Sequence, residues 1–174
     1  MISDVGEILI SEKAIEARVE TLAKDINKDF DGKTCIALGI LNGSFIFMAD
    51  LVRHFDFEVV MDFMTVESYG GGVESSGVIT IKKDLKLDVA GKNVLIIEDI
   101  VDSGRTLSYI RDILLERGAR TVKICTLLDK PDRRVATVDV DYVGFEIEDK
   151  FVVGYGLDFA DKYRNLPYVG VVEP

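Results

Sequence analysis

Two adjacent carboxylates, Glu98 and Asp99, follow a continuous apolar run at residues 94–97. Such a run is typical of a strand that is buried on both faces of a parallel sheet. In these sheets, ligands bind beyond the carboxyl ends of the strands. Because neighbouring carboxylates repel each other, this pair needs ribose hydroxyls, a divalent cation or water to compensate its charge.

The segment after the acid pair offers donors for an anion. Residues 102–106 read Asp-Ser-Gly-Arg-Thr and lead into a predicted helix at 106–117. Small hydroxyl residues, a glycine and free backbone N–H groups at a helix N-terminus can cradle a phosphate. Acids for a sugar or metal thus lie close to donors for a phosphate, as a sugar-phosphate substrate requires. The simpler alternative is an acidic turn that caps the helix through Asp102 or Ser103.

Alternating helices and strands must position these residues. Apolar positions 15, 19, 22 and 26 predict a helix over 11–29, with Ser11 as its N-cap. The other predicted helix covers 44–54, and the predicted strands cover 35–41, 57–64, 78–81, 94–97 and 121–128. This alternation indicates βαβ units and a parallel sheet, and hence an α/β fold within one domain, 1–174. The polar, glycine-rich residues 65–77 predict a mobile loop.

Composition restricts the class of protein. The chain has 174 residues and a formal net charge of −10, which argues against a protein whose main task is to bind nucleic acid. No apolar run reaches the roughly 20 residues needed to span a bilayer, so we expect no membrane partner and a cytoplasmic location. Cys35 and Cys125 lie in apolar runs and are interpreted as buried small hydrophobic residues. The single histidine, His54, is interpreted as a bystander.

Residues 94–107 resemble the phosphoribosyl-pyrophosphate-binding signature of type I phosphoribosyltransferases, in which an apolar strand, two acids and two apolar residues precede Asp-Ser/Thr-Gly and Thr. The resemblance implies that family's fold, a central parallel sheet flanked by helices. A small hood would come from about 1–10 and 132–174, and a flexible catalytic loop from about 65–77. The implied phosphoribosyl site comprises Glu98, Asp99, Ile100, Val101, Asp102, Ser103, Gly104, Arg105 and Thr106. Asp102 would be the general base that exchanges a proton with N7 of a purine.

Further segments resemble the branch of this family that acts on hypoxanthine and guanine. Residues 41–44 resemble its diphosphate loop, in which the first peptide bond can be cis. Many relatives carry Lys at the position of Asn42, a departure that concerns a charge contact and not the backbone contacts. The implied diphosphate site comprises Leu41, Asn42, Gly43, Ser44 and Arg164. Ser68 and Tyr69 resemble the start of the catalytic lid.

The purine contacts are also implied by resemblance. Lys130 would donate to the 6-oxo group, a role that suits an ammonium because it has donors only. Phe151 would stack on the base, and the backbone of Val152 would bind the purine edge. Asp158 would help to hold a second magnesium, beside the metal site at Glu98 and Asp99. Arg134, close to Lys130, is interpreted as a structural residue.

The resemblance therefore implies Mg²⁺-dependent transfer of 5-phosphoribosyl from its diphosphate donor to N9 of hypoxanthine, and also of guanine. The products would be IMP or GMP and diphosphate, and the protein would be a homodimer or homotetramer. The main alternative is a nucleotide-sensing regulator on the same scaffold that binds nucleic acid, against which the negative charge weighs. The sequence does not rank hypoxanthine, guanine and xanthine as substrates.

Overall fold

The structure, a computed structural model, describes residues 5–69 and 78–173. Most of the predicted loop, residues 70–77, lies outside the described residues. The helices and strands follow in chain order: β1 (Glu7–Ile10), α1 (Glu12–Asp29), β2 (Cys35–Leu41), α2 (Phe45–Val52), β3 (Val59–Tyr69), β4 (Val78–Lys83), β5 (Asn93–Val101), α3 (Arg105–Glu116), β6 (Thr121–Asp129), a 3₁₀ helix (Pro131–Arg133), β7 (Tyr142–Glu146), β8 (Val152–Val153) and β9 (Val169–Val171).

A six-stranded sheet in the order β4-β3-β2-β5-β6-β7 forms the centre of the fold. Its neighbouring strands are parallel, except that β4 runs antiparallel to β3. Helices α1 and α2 bury their apolar residues in a cluster on one face of this sheet, and α3 does so on the other face. Because both faces are covered, the middle strands are continuous apolar runs. The predicted α/β fold with a mostly parallel sheet is confirmed.

Helix α1 forms as its sequence pattern predicts. The Ser11 hydroxyl accepts a hydrogen bond from the Ala14 N–H at 3.2 Å and so caps the first turn. The apolar stripe at residues 15, 19, 22 and 26 is buried. Cys35 and Cys125 are free, buried thiols, and burial raises the pKa of the Cys35 thiol to about 12. The interpretation of both cysteines as buried small residues is therefore confirmed.

Two strands extend beyond their predicted ends. We predicted a loop from residue 65, but β3 continues to Tyr69 because β4 pairs with it, Thr65 lying opposite Lys83 and Tyr69 opposite Val78. Strand β5 continues to Val101, which pairs with Asp129 of β6. The acid pair therefore lies within the last residues of β5 and not beyond its end. In both cases the pairing strand supplies backbone partners that local composition does not reveal.

A second, three-stranded sheet has the order β1-β9-β8 and joins the two ends of the described chain. Glu7 and Val152 both lie opposite Val171 in this sheet. Strand β7, in contrast, pairs parallel with β6 in the large sheet. The range 132–174 expected for the hood is therefore divided between the two sheets. No helix in the described part of the chain is long and apolar enough to cross a membrane.

Candidate active site

A cavity of about 410 Å³ opens at the carboxyl end of β5. Four stretches that lie far apart in the sequence line it: the end of β2 with the segment after it, the last part of β3, the end of β5 with the turn to α3, and the C-terminal segment. The predicted site residues in its wall are Leu41, Gly43, Ser68, Glu98, Asp99, Ile100, Val101, Asp102, Ser103, Gly104, Thr106, Asp158 and Arg164. The parallel sheet places them together because its strands end at the same edge.

The acid pair forms the floor of this cavity. Glu98 is buried, and its Oε1 accepts a hydrogen bond of 2.9 Å from the Asp99 N–H. Burial and the neighbouring Asp99 carboxylate raise the pKa of Glu98 well above its ordinary value. Asp99 lies against residues 41–44, since a Cβ on Gly43 would overlap with its Oδ2 and lie 2.7 Å from its Cγ. With Asp99 in this position, there is no room for a side chain at residue 43.

The turn before α3 is held from outside the helix. Gly104 is its N-cap with a φ of 78°, and the Ser103 hydroxyl accepts a hydrogen bond of 3.3 Å from the N–H of Arg105, the first helical residue. The simpler alternative named Asp102 or Ser103 as the N-cap; the N-cap is instead the residue that follows them, but the Ser103 side chain still binds a backbone N–H at the start of the helix. The Ser103 carbonyl accepts hydrogen bonds from the N–H groups of Val135 and Ala136 at 2.9 and 3.0 Å. The 135–136 segment therefore fixes the turn and leaves the Asp102 side chain half-exposed at the cavity.

Arg134 links this turn to strand β6. Its Nη2 lies 2.6 Å from Oδ1 of Asp129, which is buried, and its Nη1 donates to the Asp102 carbonyl at 3.5 Å. A Cβ on Gly104 would lie 3.0 Å from the Arg134 Cδ. These contacts agree with the structural role expected for Arg134. Sequence analysis missed Asp129, because nothing local marks it as the partner of an arginine in the following turn.

The Arg134→Ala substitution is expected to lower the free energy of unfolding by about 3 kcal/mol, since it leaves the buried Asp129 carboxylate without its counter-ion. Urea unfolding followed by circular dichroism measures this change. Arg53→Ala, which removes an exposed ion pair to Asp50, serves as the control and should cost less than about 1 kcal/mol. Equal losses for the two variants would contradict a special role for the Arg134–Asp129 pair.

Lys130 follows β6 and lies beside Asp102. Its side chain is only 10% exposed, and its Nζ lies 3.8 Å from Asp102 Oδ1 and 3.5 Å from Asp149 Oδ1. Arg133 Nη1 contacts the other oxygen of Asp149 at 3.1 Å. The Lys130 N–H also donates to the Val101 carbonyl at 2.9 Å, which anchors its backbone to the end of β5. The Lys130 ammonium, which does not itself line the cavity, thus stands beside the Asp102 carboxylate, which does.

The C-terminal segment presents an aromatic ring and an ion pair. Phe151 is 44% exposed, and Phe159 meets it edge-to-face at a centroid distance of 5.4 Å. Val152 is buried in β8. Asp158 pairs with Arg164 at 3.1 Å, and Arg164 donates to the Gly156 carbonyl at 2.6 Å. The supporting contact from Phe159 was missed by sequence analysis.

The remaining predicted residues have different surroundings. The peptide bond between Leu41 and Asn42 is cis. The buried Ser44 hydroxyl donates to the Ile40 carbonyl at 2.6 Å, so it faces its own backbone. Tyr69 ends β3, and its side chain lies outside the described part of the structure. His54 is exposed, with its carbonyl bound by Asn27 Nδ2, and does not line the cavity.

The carboxylates around the cavity suit a magnesium ion whose other ligands come from a substrate and water. Glu98, Asp99 and Asp158 line one cavity. Within residues 5–69 and 78–173, no group of three or more His, Cys, Asp or Glu side chains is arranged to hold a metal ion by itself. Mg²⁺ is commonly bound by one or two carboxylates together with substrate phosphates and water. The residues present therefore fit this ion.

Comparisons with known proteins agree with this geometry. A family model described as a phosphoribosyl transferase domain matches residues 5–160. A hypoxanthine-guanine phosphoribosyltransferase of Bacillus subtilis is 50% identical over 171 residues, which cover 98% of this chain and 95% of that protein. The crystal structure of a hypoxanthine phosphoribosyltransferase from Staphylococcus aureus superposes with a TM-score of 0.95 at 46% identity, and covers 99% of this chain and 94% of that one.

Proposed function

The chain belongs to the phosphoribosyltransferase family, and we propose that it catalyses a transfer reaction in the cavity described above. In this reaction, 5-phosphoribosyl passes from 5-phospho-α-D-ribosyl 1-diphosphate to N9 of hypoxanthine or guanine. The activity is that of a hypoxanthine-guanine phosphoribosyltransferase in purine salvage, as in relatives that share half of its residues. The fold is that of the type I family. We treat residues 1–174 as one domain, with the small sheet as its hood.

The observation that carries the base assignment is the position of Lys130 beside Asp102, 3.8 Å apart. In a 6-oxopurine, O6 and N7 are neighbouring atoms on one edge of the ring system. An ammonium that donates to O6 therefore belongs next to a carboxylate that accepts a proton from N7. Asp102 would act as this general base in the forward direction and return the proton in reverse.

The exposed ring of Phe151 would stack on the base, a contact worth about 1–3 kcal/mol by analogy with other base-binding proteins. The edge-to-face contact with Phe159 supports the orientation of this ring. The backbone of Val152, fixed in the small sheet, would bind the purine edge. Phe151, Val152 and Lys130 together would set the preference for a 6-oxopurine.

The donor would bind across the β5–α3 turn. Its 5′-phosphate would accept hydrogen bonds from backbone N–H groups of 103–106 and from the hydroxyls of Ser103 and Thr106. The ribose hydroxyls would donate hydrogen bonds to Glu98, which is buried, and to Asp99, which is half-buried, and so offset the repulsion between these neighbouring carboxylates. The diphosphate would lie against Leu41, Asn42, Gly43, Ser44 and Arg164.

Mg²⁺ is the cofactor that this site would use. Glu98, Asp99 and Asp158 would hold it together with oxygens of the donor. When bound, the ion neutralises the charge of the departing diphosphate and so lowers the barrier to transfer. Arg164, which already pairs with Asp158, would add positive charge at the same place.

Three further properties belong to this proposal. Ser68 and Tyr69, at the end of β3, would begin a catalytic lid that excludes water from the cationic sugar. The protein would form a homodimer or homotetramer. It would act in the cytoplasm on small molecules, namely 5-phosphoribosyl diphosphate, hypoxanthine, guanine, IMP and GMP.

An absorbance assay tests the function directly. The purified protein is incubated with the diphosphate donor and hypoxanthine, guanine or xanthine, with and without Mg²⁺. We expect turnover of hypoxanthine and guanine that is lost when the metal is removed. Absence of turnover for both bases, together with a shift of nucleic acid in an electrophoretic mobility assay, would favour the regulator, which the comparisons do not favour.

A further inference from the structure

Four side chains of alternating charge contact one another in series beside the cavity: Asp102, Lys130, Asp149 and Arg133. From this arrangement we infer that Asp149 is a positioning residue that sets the base specificity of the site through Lys130. The inference rests on the proposed function and adds to it a residue that would itself touch neither substrate nor metal.

Lys130 requires positioning because of its chemistry. An ammonium is a compact charge on a flexible four-carbon stem, with donors that can rotate toward any nearby carboxylate. With Asp102 as its only acidic neighbour, it would form a close ion pair with that carboxylate. In such a pair, the N–H donors of Lys130 would no longer be available to the 6-oxo group of the purine. The carboxylate oxygens of Asp102 would likewise no longer be available to the N7 proton. A second carboxylate in contact with the ammonium competes with Asp102 for its donors and so opposes this close pairing.

The distances show how the ammonium is shared. Lys130 Nζ lies 3.5 Å from Asp149 Oδ1, the long limit of a hydrogen bond, and 3.8 Å from Asp102 Oδ1, where the contact is an ion pair only. The Lys130 side chain is only 10% exposed, so water offers it few alternative partners. Asp149 thus holds the ammonium away from a direct hydrogen bond with Asp102 and leaves both groups available to the purine.

Asp149 is itself held in a defined orientation. Its Oδ1 accepts from Lys130, while its Oδ2 accepts from Arg133 Nη1 at 3.1 Å. The hydrogen bond from Arg133 and its positive charge lower the pKa of the Asp149 carboxyl. Because each oxygen binds a different cation, the carboxylate cannot rotate without losing one of them. Asp149 also lies two residues before Phe151, so one short segment would position both the stacking ring and the oxo donor.

Asp149→Asn tests this role by comparing two nucleotides that differ in the 6-oxo group and in the proton on N1, which accompanies that group. We expect the variant to bind IMP about fivefold more weakly than the unaltered protein, since a half-exposed ion pair contributes modestly. Binding of purine riboside 5′-monophosphate, which lacks the 6-oxo group, should change by less than about twofold. Isothermal titration calorimetry measures both dissociation constants. In the assay, the KM for hypoxanthine should rise while the KM for the diphosphate donor stays unchanged.

Two variants make the test specific. Asp149→Glu keeps the charge and should restore most of the affinity for IMP. Asp132→Asn removes an exposed acid from the neighbouring 3₁₀ helix and should leave both affinities unchanged. An equal loss for both nucleotides, or a lowered melting temperature without selectivity for the 6-oxo group, would show a merely structural role and overturn the inference. If instead the unaltered protein fails to convert hypoxanthine or guanine, it is the proposed function that fails.

Discussion

Asp102→Asn should lower the kcat for hypoxanthine by about 10²–10⁴-fold while IMP still binds with little loss of affinity. The amide keeps the shape of the side chain and its hydrogen-bonding reach, but it cannot take up the N7 proton. The Asp102 side chain is 48% exposed at the cavity, so the substitution leaves no buried group unpaired. The backbone carbonyl of Asp102, which accepts from Arg134, is unaltered by the change.

Steady-state kinetics with hypoxanthine and calorimetric titration with IMP separate the two effects. Asp139→Asn, which alters an acid in the same chain outside the cavity wall, provides the matched control and should leave kcat unchanged. A kcat for Asp102→Asn that equals the original value would remove Asp102 from proton transfer. Loss of IMP binding in the same proportion as kcat would assign Asp102 to binding instead.

Gly43→Ala should reduce kcat/KM for the diphosphate donor by on the order of 10²-fold with little effect on stability, because misplacing a catalytic group by about 1 Å has costs of this size. The added methyl group would occupy the position of Asp99 Oδ2 and lie 2.7 Å from its Cγ. The Asp99 carboxylate ends a short side chain that can rotate away, so the fold survives. The rotation, however, would take one of the two proposed ribose and metal ligands out of place.

The expected combination of lost activity and retained stability distinguishes this substitution from ordinary overpacking. Gly6→Ala is the control, because a Cβ there would meet only the Val171 carbonyl at 3.8 Å, an ordinary contact. In a titration with the donor in the presence of Mg²⁺, the Gly43→Ala protein should bind the donor more weakly than the Gly6→Ala protein. In thermal unfolding, the two variants should have similar melting temperatures. A Gly43→Ala protein with normal donor kinetics would show that the position of Asp99 is not important for the reaction.

The sequence predicted those parts of the fold that local patterns determine. The stripe on α1 and its Ser11 cap could be recognised because helix periodicity and capping act within a few residues. The parallel sheet followed from apolar runs that alternate with helices. The extension of β3 to Tyr69 could not be predicted, since it depends on pairing with β4 and not on the polar composition of residues 65–69.

The residues of the candidate site also fall into those that the sequence could locate and those that it could not. The acid pair and the turn after it form one continuous motif, and the resemblance could locate them together. The contact between Lys130 and Asp149 joins residues 19 positions apart, and no periodicity relates them. The packing of Gly43 against Asp99 connects two different strand ends, and only the folded sheet reveals it. Sequence patterns therefore located the groups that we propose to carry the chemistry but not the groups that hold them in position.

The composition of the cavity wall also has a consequence for biosynthesis. Leu41 and Gly43 are made before the 98–106 turn, and Asp158 and Arg164 are made after it. Contacts between such distant parts of a chain form slowly, because a long loop must close before they can contribute. A chain still emerging from the ribosome can build βαβ units of the large sheet but lacks Asp158 and Arg164. The proposed donor site is complete only after Asp158 and Arg164 have been made, so chains that lack them are expected not to bind the donor.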